Sequence, residues 1–136
     1  MAYFLLKTEP STYSWDDLVR EGRAVWDGVT NPVALRNIRA ARPGDLVLIY
    51  HTGDERAAVG IAEVASAAYP DPKDKAGKLS VFDLAAKKKL DRPVTLEEIK
   101  SLKEFAASPL VRQGRLSVVP LEANQWEALL SRAKRQ

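Results

Sequence analysis

The sequence predicts an α+β fold with a curled sheet of five to six mainly antiparallel strands and short flanking helices. Apolar segments of strand length alternate irregularly with helical segments, unlike the strict alternation of parallel α/β proteins. An interior glycine, Gly60, lies within the apolar segment 57–68 and is typical of a bulge or sharp bend in a small closed barrel. At 136 residues with 46% hydrophobic content, the chain is predicted to form a single domain over residues 1–136.

The first half of the chain contains four predicted strands and two predicted helices. Ser14 and Asp17 have the spacing of a capping box, so a short helix is expected there, with its end at Gly22. Asn31 directly before Pro32 predicts the N-cap and first residue of a second helix, over 32–41. The predicted strands are residues 3–7, 24–26, 46–51 and 57–68.

The second half is predicted to add two strands and two helices. Thr95, followed by acidic residues in the next turn, indicates a helix N-cap. A turn or short helical segment is expected at 109–113, and a charged connection at 73–78. The predicted strands are residues 79–90 and 115–121, and the predicted helices are 96–102 and 124–132.

Composition excludes several classes of site. The chain has no cysteine and one histidine, so it offers neither disulfides nor thiolate or multi-histidine metal sites. We therefore predict no metal and no cofactor. The amino terminus lacks the features of a signal peptide and no apolar run approaches a membrane span, so a soluble, cytoplasmic protein is expected.

Charge is distributed unevenly between the two parts of the chain. Residues 1–86 carry 10 basic and 12 acidic side chains, a balance of −2, whereas residues 87–136 carry 11 and 6, a balance of +5. A basic second part is compatible with a polyanionic partner such as nucleic acid.

The segment Trp26-Asp27-Gly28 through Asn31 combines residue types that suit a ligand site. Glycine permits a tight turn after the strand, and the free N–H groups of the following helix start can bind an anion or a polar ligand edge. The aromatic ring of Trp26 offers a face for stacking. The alternative interpretation is a buried Trp and an ordinary capped helix.

Three strand ends carry polar and aromatic residues that a barrel rim could bring together. They are Lys7-Thr8-Glu9-Pro10, Trp26-Asp27-Gly28 and Tyr50-His51-Thr52. In that arrangement Trp26 and Tyr50 would sandwich a planar ring, as proteins that bind extruded bases do. Alternatively, Tyr50 is a strand-end aromatic with its hydroxyl in water.

A catalytic interpretation competes with this binding site. Ser14 or Ser117 with His51 could form a nucleophile and base, but the Gly-x-Ser-x-Gly elbow is absent. Glu9 and Asp27 could form a carboxylate pair for acid–base chemistry. No spacing requires either arrangement, so we predict no catalytic residue and a protein that is not an enzyme.

The motifs together resemble the EVE domain family of the PUA-like superfamily, and the resemblance covers nearly the whole chain in order. It rests on Phe4-Leu5-Leu6-Lys7-Thr8-Glu9-Pro10, Trp15 with Leu18, Trp26-Asp27-Gly28-Val29-x-Asn31, Asn37, Tyr50-His51, Tyr69-Pro70-Asp71 and Gln113-Gly114-Arg115-Leu116-Ser117. The resemblance implies a PUA-like pseudo-barrel related to YTH and ASCH domains. It also implies a cavity for a modified nucleobase, chiefly 5-substituted cytosine in DNA.

The resemblance and the residue chemistry together give a predicted site. The predicted base-binding residues are Lys7, Glu9, Trp26, Gly28, Val29, Asn31, Asn37, Tyr50, His51 and Thr52. The predicted phosphate-binding residues are Thr30, Arg36, Lys87, Lys88, Arg112 and Arg115. Family members commonly have Arg at the position of Thr30, so this chain lacks one fork-shaped donor there.

Three functional hypotheses follow. The favoured one is a monomeric reader of a modified, flipped-out base, with DNA favoured over RNA as the partner. The second is an RNA-binding module of the YTH and PUA kind. The third is a small nucleotide-processing hydrolase that uses His51 and Glu9.

Overall fold

The fold is known from a computed structural model, which describes residues 1–134; the last two residues of the predicted domain lie outside the described range. Within that range the strands are β1 (Tyr3–Thr8), β2 (Arg23–Trp26), β3 (Leu46–His51), β4 (Ala57–Val64), β5 (Tyr69–Pro70), β6 (Ser80–Thr95) and β7 (Val118–Leu121). The helices are α1 (Trp15–Glu21), α2 (Pro32–Ala40), α3 (Leu96–Ser101), α4 (Pro109–Arg112) and α5 (Ala123–Ala133), with a 3₁₀ turn at Lys103–Phe105. The predicted α+β class is confirmed.

The strands form one sheet in the order β2-β6-β4-β3-β1-β7, and β5 pairs with β6. Every pairing is antiparallel except that of β1 with β3, so the prediction of mainly antiparallel strands is confirmed. The predicted number of five to six strands is wrong, because residues 1–134 contain seven. The additional strand is β5, which has only two residues and lies where Pro70 was expected to interrupt the chain. The sheet is open, with β2 and β7 at its edges, rather than a closed barrel.

Strand β6 continues well beyond its predicted end near residue 90. The register with β4 jumps from Gly60↔Lys89 to Ala58↔Val94, so Pro93 lies in a bulge rather than in the regular ladder. A proline is tolerated there because its missing N–H breaks no ladder bond. In contrast, β4 ends at Val64 rather than at residue 68, and β7 begins at Val118 rather than at residue 115.

The bulge predicted at Gly60 is present, and the glycine serves a second purpose. The register shifts on both sides of β4 near this residue. A side-chain carbon added at Gly60 would lie 2.5 Å from the ring of Trp15, the first residue of α1. The absent side chain therefore lets α1 pack closely against the sheet, and this contact fixes the connection that follows β1.

Local capping signals place the helices as predicted. Ser14 and Asp17 form a reciprocal capping box at α1, and Thr95 forms one with Glu98 at α3. The side-chain oxygen of Asn31 accepts hydrogen bonds from the backbone N–H groups of Val33 and Ala34 at 2.9 and 3.1 Å. Each cap satisfies donors that a helix start leaves unpaired.

Candidate nucleic-acid interface

The parallel pairing of β1 and β3 brings two predicted site segments together. Lys7 is in register with Tyr50, and Thr8 with His51. The backbone N–H of Thr52 donates to the Thr8 carbonyl at 2.9 Å, so the pairing continues into the loop. Two clefts open beside these strand ends.

The first cleft, which we call the tryptophan cleft, has a volume of about 670 Å³. It lies between the end of β1, helix α1 and the turn after β2, and its lining includes Lys7, Glu9, Tyr13, Glu21, Val25 and Trp26. The volume falls in the range of about 300–1,000 Å³ found for small-molecule and cofactor sites. Val25 is 49% exposed, so an apolar side chain is available at the wall of the cleft.

Two aromatic side chains meet in the tryptophan cleft. The rings of Tyr13 and Trp26 are in edge-to-face contact, with centroids 6.0 Å apart and planes at 82°. The Tyr13 hydroxyl donates to a carboxylate oxygen of Glu21 at 2.7 Å. Burial raises the pKa of Tyr13, and its hydrogen bond to Glu21 raises it further, so the hydroxyl keeps its proton at neutral pH.

The charged groups of the tryptophan cleft are mainly acidic. Glu9, Glu21 and Asp27 contribute three carboxylates against the two amines of Lys7 and Lys73. Lys73 lies 3.5 Å from Asp27 and partly neutralises it. Glu9 also accepts a hydrogen bond from the Thr52 hydroxyl at 3.3 Å, which holds its carboxylate at the end of β1. The cleft therefore presents hydrogen-bond acceptors rather than a strongly cationic surface.

The second cleft, which we call the tyrosine cleft, has a volume of about 220 Å³. Its lining includes Lys7, Tyr50, Thr52, Arg56, Lys100 and Val111. The Lys7 amine donates to the Gly114 carbonyl at 2.9 Å and lies 6.0 Å from the centre of the Tyr50 ring. Burial lowers the pKa of Lys7 and raises that of Tyr50, although the charge of Arg56 opposes the shift at Tyr50.

Trp26 and Tyr50 line different clefts, so the predicted sandwich of one planar ring between them is not formed. The strand ends do converge, but in two pairs. The ends of β1 and β2 meet at the tryptophan cleft, and the ends of β1 and β3 meet at the tyrosine cleft. Trp26 and Tyr50 are both largely buried, at 7% and 3% exposure.

Several predicted polar ligands are engaged within the protein. The amide nitrogen of Asn37 donates to the Val118 carbonyl at 2.8 Å. The Asn31 oxygen is used by the helix cap, which leaves its amide nitrogen as the group that could contact a ligand. Val29 is buried, whereas Gly28 has a positive φ of 79° and forms part of the tryptophan cleft.

His51 is held on both sides of its ring. Its Nε2 accepts the backbone N–H of Trp15 at 3.0 Å, so the proton of the neutral ring is on Nδ1, which lies 2.9 Å from a carboxylate oxygen of Glu55. The ring is only 7% exposed. This arrangement disfavours His51 as a catalytic base, because both ring nitrogens are engaged within the protein.

The predicted phosphate ligands are dispersed. Lys87 is 3.4 Å from Glu63, and Arg112 donates to the Ala106 carbonyl at 3.1 Å. None of the six predicted phosphate ligands lines either cleft in the part of the chain that the structure describes. These six residues are Thr30, Arg36, Lys87, Lys88, Arg112 and Arg115.

Sequence reasoning missed several residues of the two clefts. Tyr13, Glu21 and Lys73 belong to the tryptophan cleft, and Arg56 and Lys100 to the tyrosine cleft. Tyr13 lies in the turn directly after the Lys7-Thr8-Glu9-Pro10 segment, where its backbone N–H donates to the Glu9 carbonyl. That position is a signal that could have found it. The other four become neighbours only through the tertiary fold.

Metal-binding clusters and membrane-spanning helices are both absent from the described part of the chain. In residues 1–134, no group of three or more His, Asp or Glu side chains is placed to hold a metal ion. Among the described helices, none combines the length and apolarity needed to cross a membrane.

Comparison with known proteins gives the family. The EVE domain family model matches residues 2–132. The structure of Rpa0253 from Rhodopseudomonas palustris is 41% identical, with a TM-score of 0.91 over 96% of this chain and 92% of that chain. Human THYN1 in complex with 5-methylcytosine containing DNA is 25% identical, with a TM-score of 0.92 over 100% and 99% of the two chains.

A more distant similarity shows the fold alone. The YTH domain of Zygosaccharomyces rouxii MRB1, in complex with N6-methyladenosine RNA, is 14% identical, with a TM-score of 0.63 over 98% of this chain and 87% of that one. The fold of this chain is therefore similar to that of a YTH domain. The chain belongs to the EVE domain family.

Proposed function

We propose that this chain is a non-catalytic nucleic-acid-binding module that holds a modified, flipped-out base, most favourably a 5-substituted cytosine in DNA. The observation that carries the proposal is the tryptophan cleft, in a fold similar to that of human THYN1 bound to 5-methylcytosine containing DNA. In this proposal the base enters beside Trp26 and Tyr13, which supply aromatic surface for it.

The chemistry of the tryptophan cleft suits a cytosine. The exocyclic amine of cytosine is a donor that carboxylates accept. Glu21 has one oxygen engaged by Tyr13 and a second available, and Glu9 and Asp27 lie in the same cleft. Lys7 supplies a donor for the C2 carbonyl oxygen of cytosine, which is an acceptor. A 5-methyl group would find an apolar partner in the exposed side chain of Val25.

RNA binding is the second candidate, and the YTH-like fold is the observation that favours it. We give DNA preference because the more similar THYN1 structure holds DNA. A hydrolase with His51 and Glu9 is the weakest candidate, since both ring nitrogens of His51 are occupied within the protein.

Other features of the proposal rest on sequence. Phosphate contacts by Thr30, Arg36, Lys87, Lys88, Arg112 and Arg115 stay predictions, as do a monomeric state and a cytoplasmic location. Substitution of Thr30 by the Arg common in the family is expected to strengthen binding through phosphate or base-edge contacts.

The test is fluorescence anisotropy with a matched set of labelled oligonucleotides. The set contains one cytosine or one 5-methylcytosine in the same sequence, as single-stranded DNA, double-stranded DNA and RNA. The proposal predicts tighter binding of a methylated DNA than of its unmethylated counterpart. Equal affinity for all members would contradict base reading, and preference for RNA would transfer the proposal to the second candidate.

A further inference from the structure

The tyrosine cleft differs from the tryptophan cleft in charge. Its charged lining residues are Lys7, Arg56 and Lys100, all of them cations. A cleft of about 220 Å³ is smaller than the usual range for small-molecule sites, but a phosphate group needs little space. The Glu9 carboxylate reaches the Thr52 hydroxyl at the edge of this cleft, but the three lining cations outnumber it, which is the chemistry of an anion site.

Arg56 is held in an unusual backbone conformation. Its φ is +44°, the only positive value at a non-glycine residue in the part of the chain that the structure describes. Such conformations cost free energy and are concentrated at functional sites. The carbonyl of Arg56 accepts the Leu96 N–H at 2.8 Å, which ties the β3–β4 loop to the start of α3.

The cationic ends of the Arg56 and Lys100 side chains are available to a ligand. The Nε of Arg56 donates to the Gly53 carbonyl at 3.2 Å, which orients the guanidinium. The two terminal nitrogens of Arg56 and the amine of Lys100 form no hydrogen bond or ion pair with residues 1–134. Arg56 and Lys100 also line an adjoining cleft together with two carboxylates, Glu55 and Glu97, and Glu55 is already paired with His51.

The two clefts are joined at Lys7, which lines both. A nucleotide whose base enters the tryptophan cleft must carry a backbone phosphate that leads to its neighbour. A cationic surface next to the base site would neutralise that phosphate, and the tyrosine cleft is a cationic cleft that shares Lys7 with the tryptophan cleft. The five cations predicted from sequence as phosphate ligands line neither cleft; they are Arg36, Lys87, Lys88, Arg112 and Arg115.

We infer that the tyrosine cleft binds the backbone phosphate adjoining the flipped-out nucleotide, with Arg56 and Lys100 as its ligands and Lys7 between phosphate and base. The inference rests on the proposed function and deepens it. It assigns a phosphate subsite to two residues that no sequence motif indicates. Arg56 supplies a planar fork for phosphate oxygens, and Lys100 adds a point charge.

The test compares the double variant Arg56→Gln/Lys100→Gln with the charge-matched control Lys103→Gln/Lys134→Gln, whose residues are exposed and line neither cleft. Two probes are used: a single-stranded DNA with one 5-methylcytosine, and free 5-methyl-2′-deoxycytidine, which has no phosphate. The double variant should bind the oligonucleotide roughly 10-fold more weakly, as expected when a charged hydrogen bond is removed. Its plot of log affinity against log salt concentration should become shallower, by about 0.7 in slope for each phosphate that the variant no longer neutralises.

The nucleoside distinguishes failure of the phosphate subsite from failure of the base site. Its affinity should be the same for the parent and the double variant, because it has no phosphate. If the parent binds both probes and the double variant keeps the parent's oligonucleotide affinity and salt slope, the phosphate subsite is wrong and the base site stands. If the parent binds neither probe, the proposed function fails and the inference falls with it. Lys100→Gln alone, on an exposed helix face, repeats the test if Arg56→Gln melts at a lower temperature.

Discussion

Lys7 and Tyr50 are register partners on the parallel strands β1 and β3, and the Lys7 amine lies 6.0 Å from the centre of the Tyr50 ring. This pair lies at the boundary between the two clefts, because Lys7 lines both and Tyr50 lines one. The aromatic partner of Trp26 is consequently Tyr13, on the connection between β1 and α1, rather than the strand-end tyrosine.

Substitution of Tyr13 tests this assignment. Tyr13→Ala removes an aromatic wall of the tryptophan cleft and should weaken binding of a methylcytosine oligonucleotide by about 1–3 kcal/mol, the range for base–aromatic contacts. Tyr13→Phe is the matched control, since it keeps the wall and removes only the hydrogen bond to Glu21. Affinities are measured by anisotropy, with thermal melts to verify folding. Parent-like affinity of a folded Tyr13→Ala variant would remove Tyr13 from the site.

The contact between Gly60 and Trp15 predicts a strong effect of a very small substitution. Gly60→Ala would place a methyl group 2.5 Å from the Trp15 ring. Overpacking of this kind costs about 1–3 kcal/mol, so the free energy of unfolding in urea should decrease by that amount. Gly114→Ala has no atom within 4 Å of the added carbon and is the control. Equal stability of the two variants would show that α1 does not pack on β4 as described.

His51 is predicted to stabilise the fold rather than to perform chemistry. His51→Phe would leave the buried N–H of Trp15 without its acceptor, at a cost of about 1–3 kcal/mol in unfolding free energy. His51→Gln can still offer a side-chain oxygen and should lose less. Chemical denaturation at neutral pH measures both. The structural role would be refuted by a His51→Phe variant that is as stable as the parent.

Glu98 predicts a dependence of stability on pH. Its carboxylate pairs with both terminal nitrogens of Arg92 at 2.7 and 3.0 Å, and this hydrogen bonding lowers the pKa of Glu98 from 4.5 to about 2. Because the folded-state pKa is lower than the unfolded value, the stabilisation is fully present above about pH 4.5 and is lost as the pH falls towards 2.

The variant Glu98→Gln should therefore lose about 1 kcal/mol of stability at neutral pH, as is typical of a surface ion pair. It should also lose less additional stability than the parent between pH 4.5 and 2. Glu97→Gln, an exposed neighbour on the same helix, is the control and should follow the parent. Parallel pH curves for the parent and Glu98→Gln would contradict the assignment.

Local signals in the sequence were sufficient to predict much of this fold. The caps at Ser14, Asn31 and Thr95 act within three residues of each helix start, so their spacing alone predicts them. The bulge at Gly60 was also visible, because a glycine inside an apolar strand often marks a bulge or a close backbone approach. The continuation of β6 through Pro93 could not be predicted from the sequence, since it depends on how β4 and β6 align across the sheet.

The site was only partly predictable because its composition depends on strand order. The sequence shows that Lys7, Trp26 and Tyr50 end apolar segments, but not that β1 lies next to β3 and far from β2 in the sheet. Lys7 lines both clefts, whereas Trp26 lines one and Tyr50 the other, so the two aromatic rings are separated. Arg56 and Lys100 likewise come together only because the β3–β4 loop contacts the start of α3.

An NMR titration can detect the entry of a modified base into the tryptophan cleft. Isotope-labelled protein is titrated with a short DNA strand containing either 5-methylcytosine or cytosine. The indole N–H signal of Trp26 and the backbone signals of Val25 and Gly28 should shift at a lower concentration of the methylated strand.

The other two tryptophans are internal controls, because Trp15 packs on Gly60 and Trp126 stacks on Tyr3 with ring centroids 4.8 Å apart. Their indole signals should change little. Shifts at Trp26, Val25 and Gly28 that require the methylated strand are the result we predict. Identical titrations with both strands, or shifts that avoid all three of these residues, would contradict the claim.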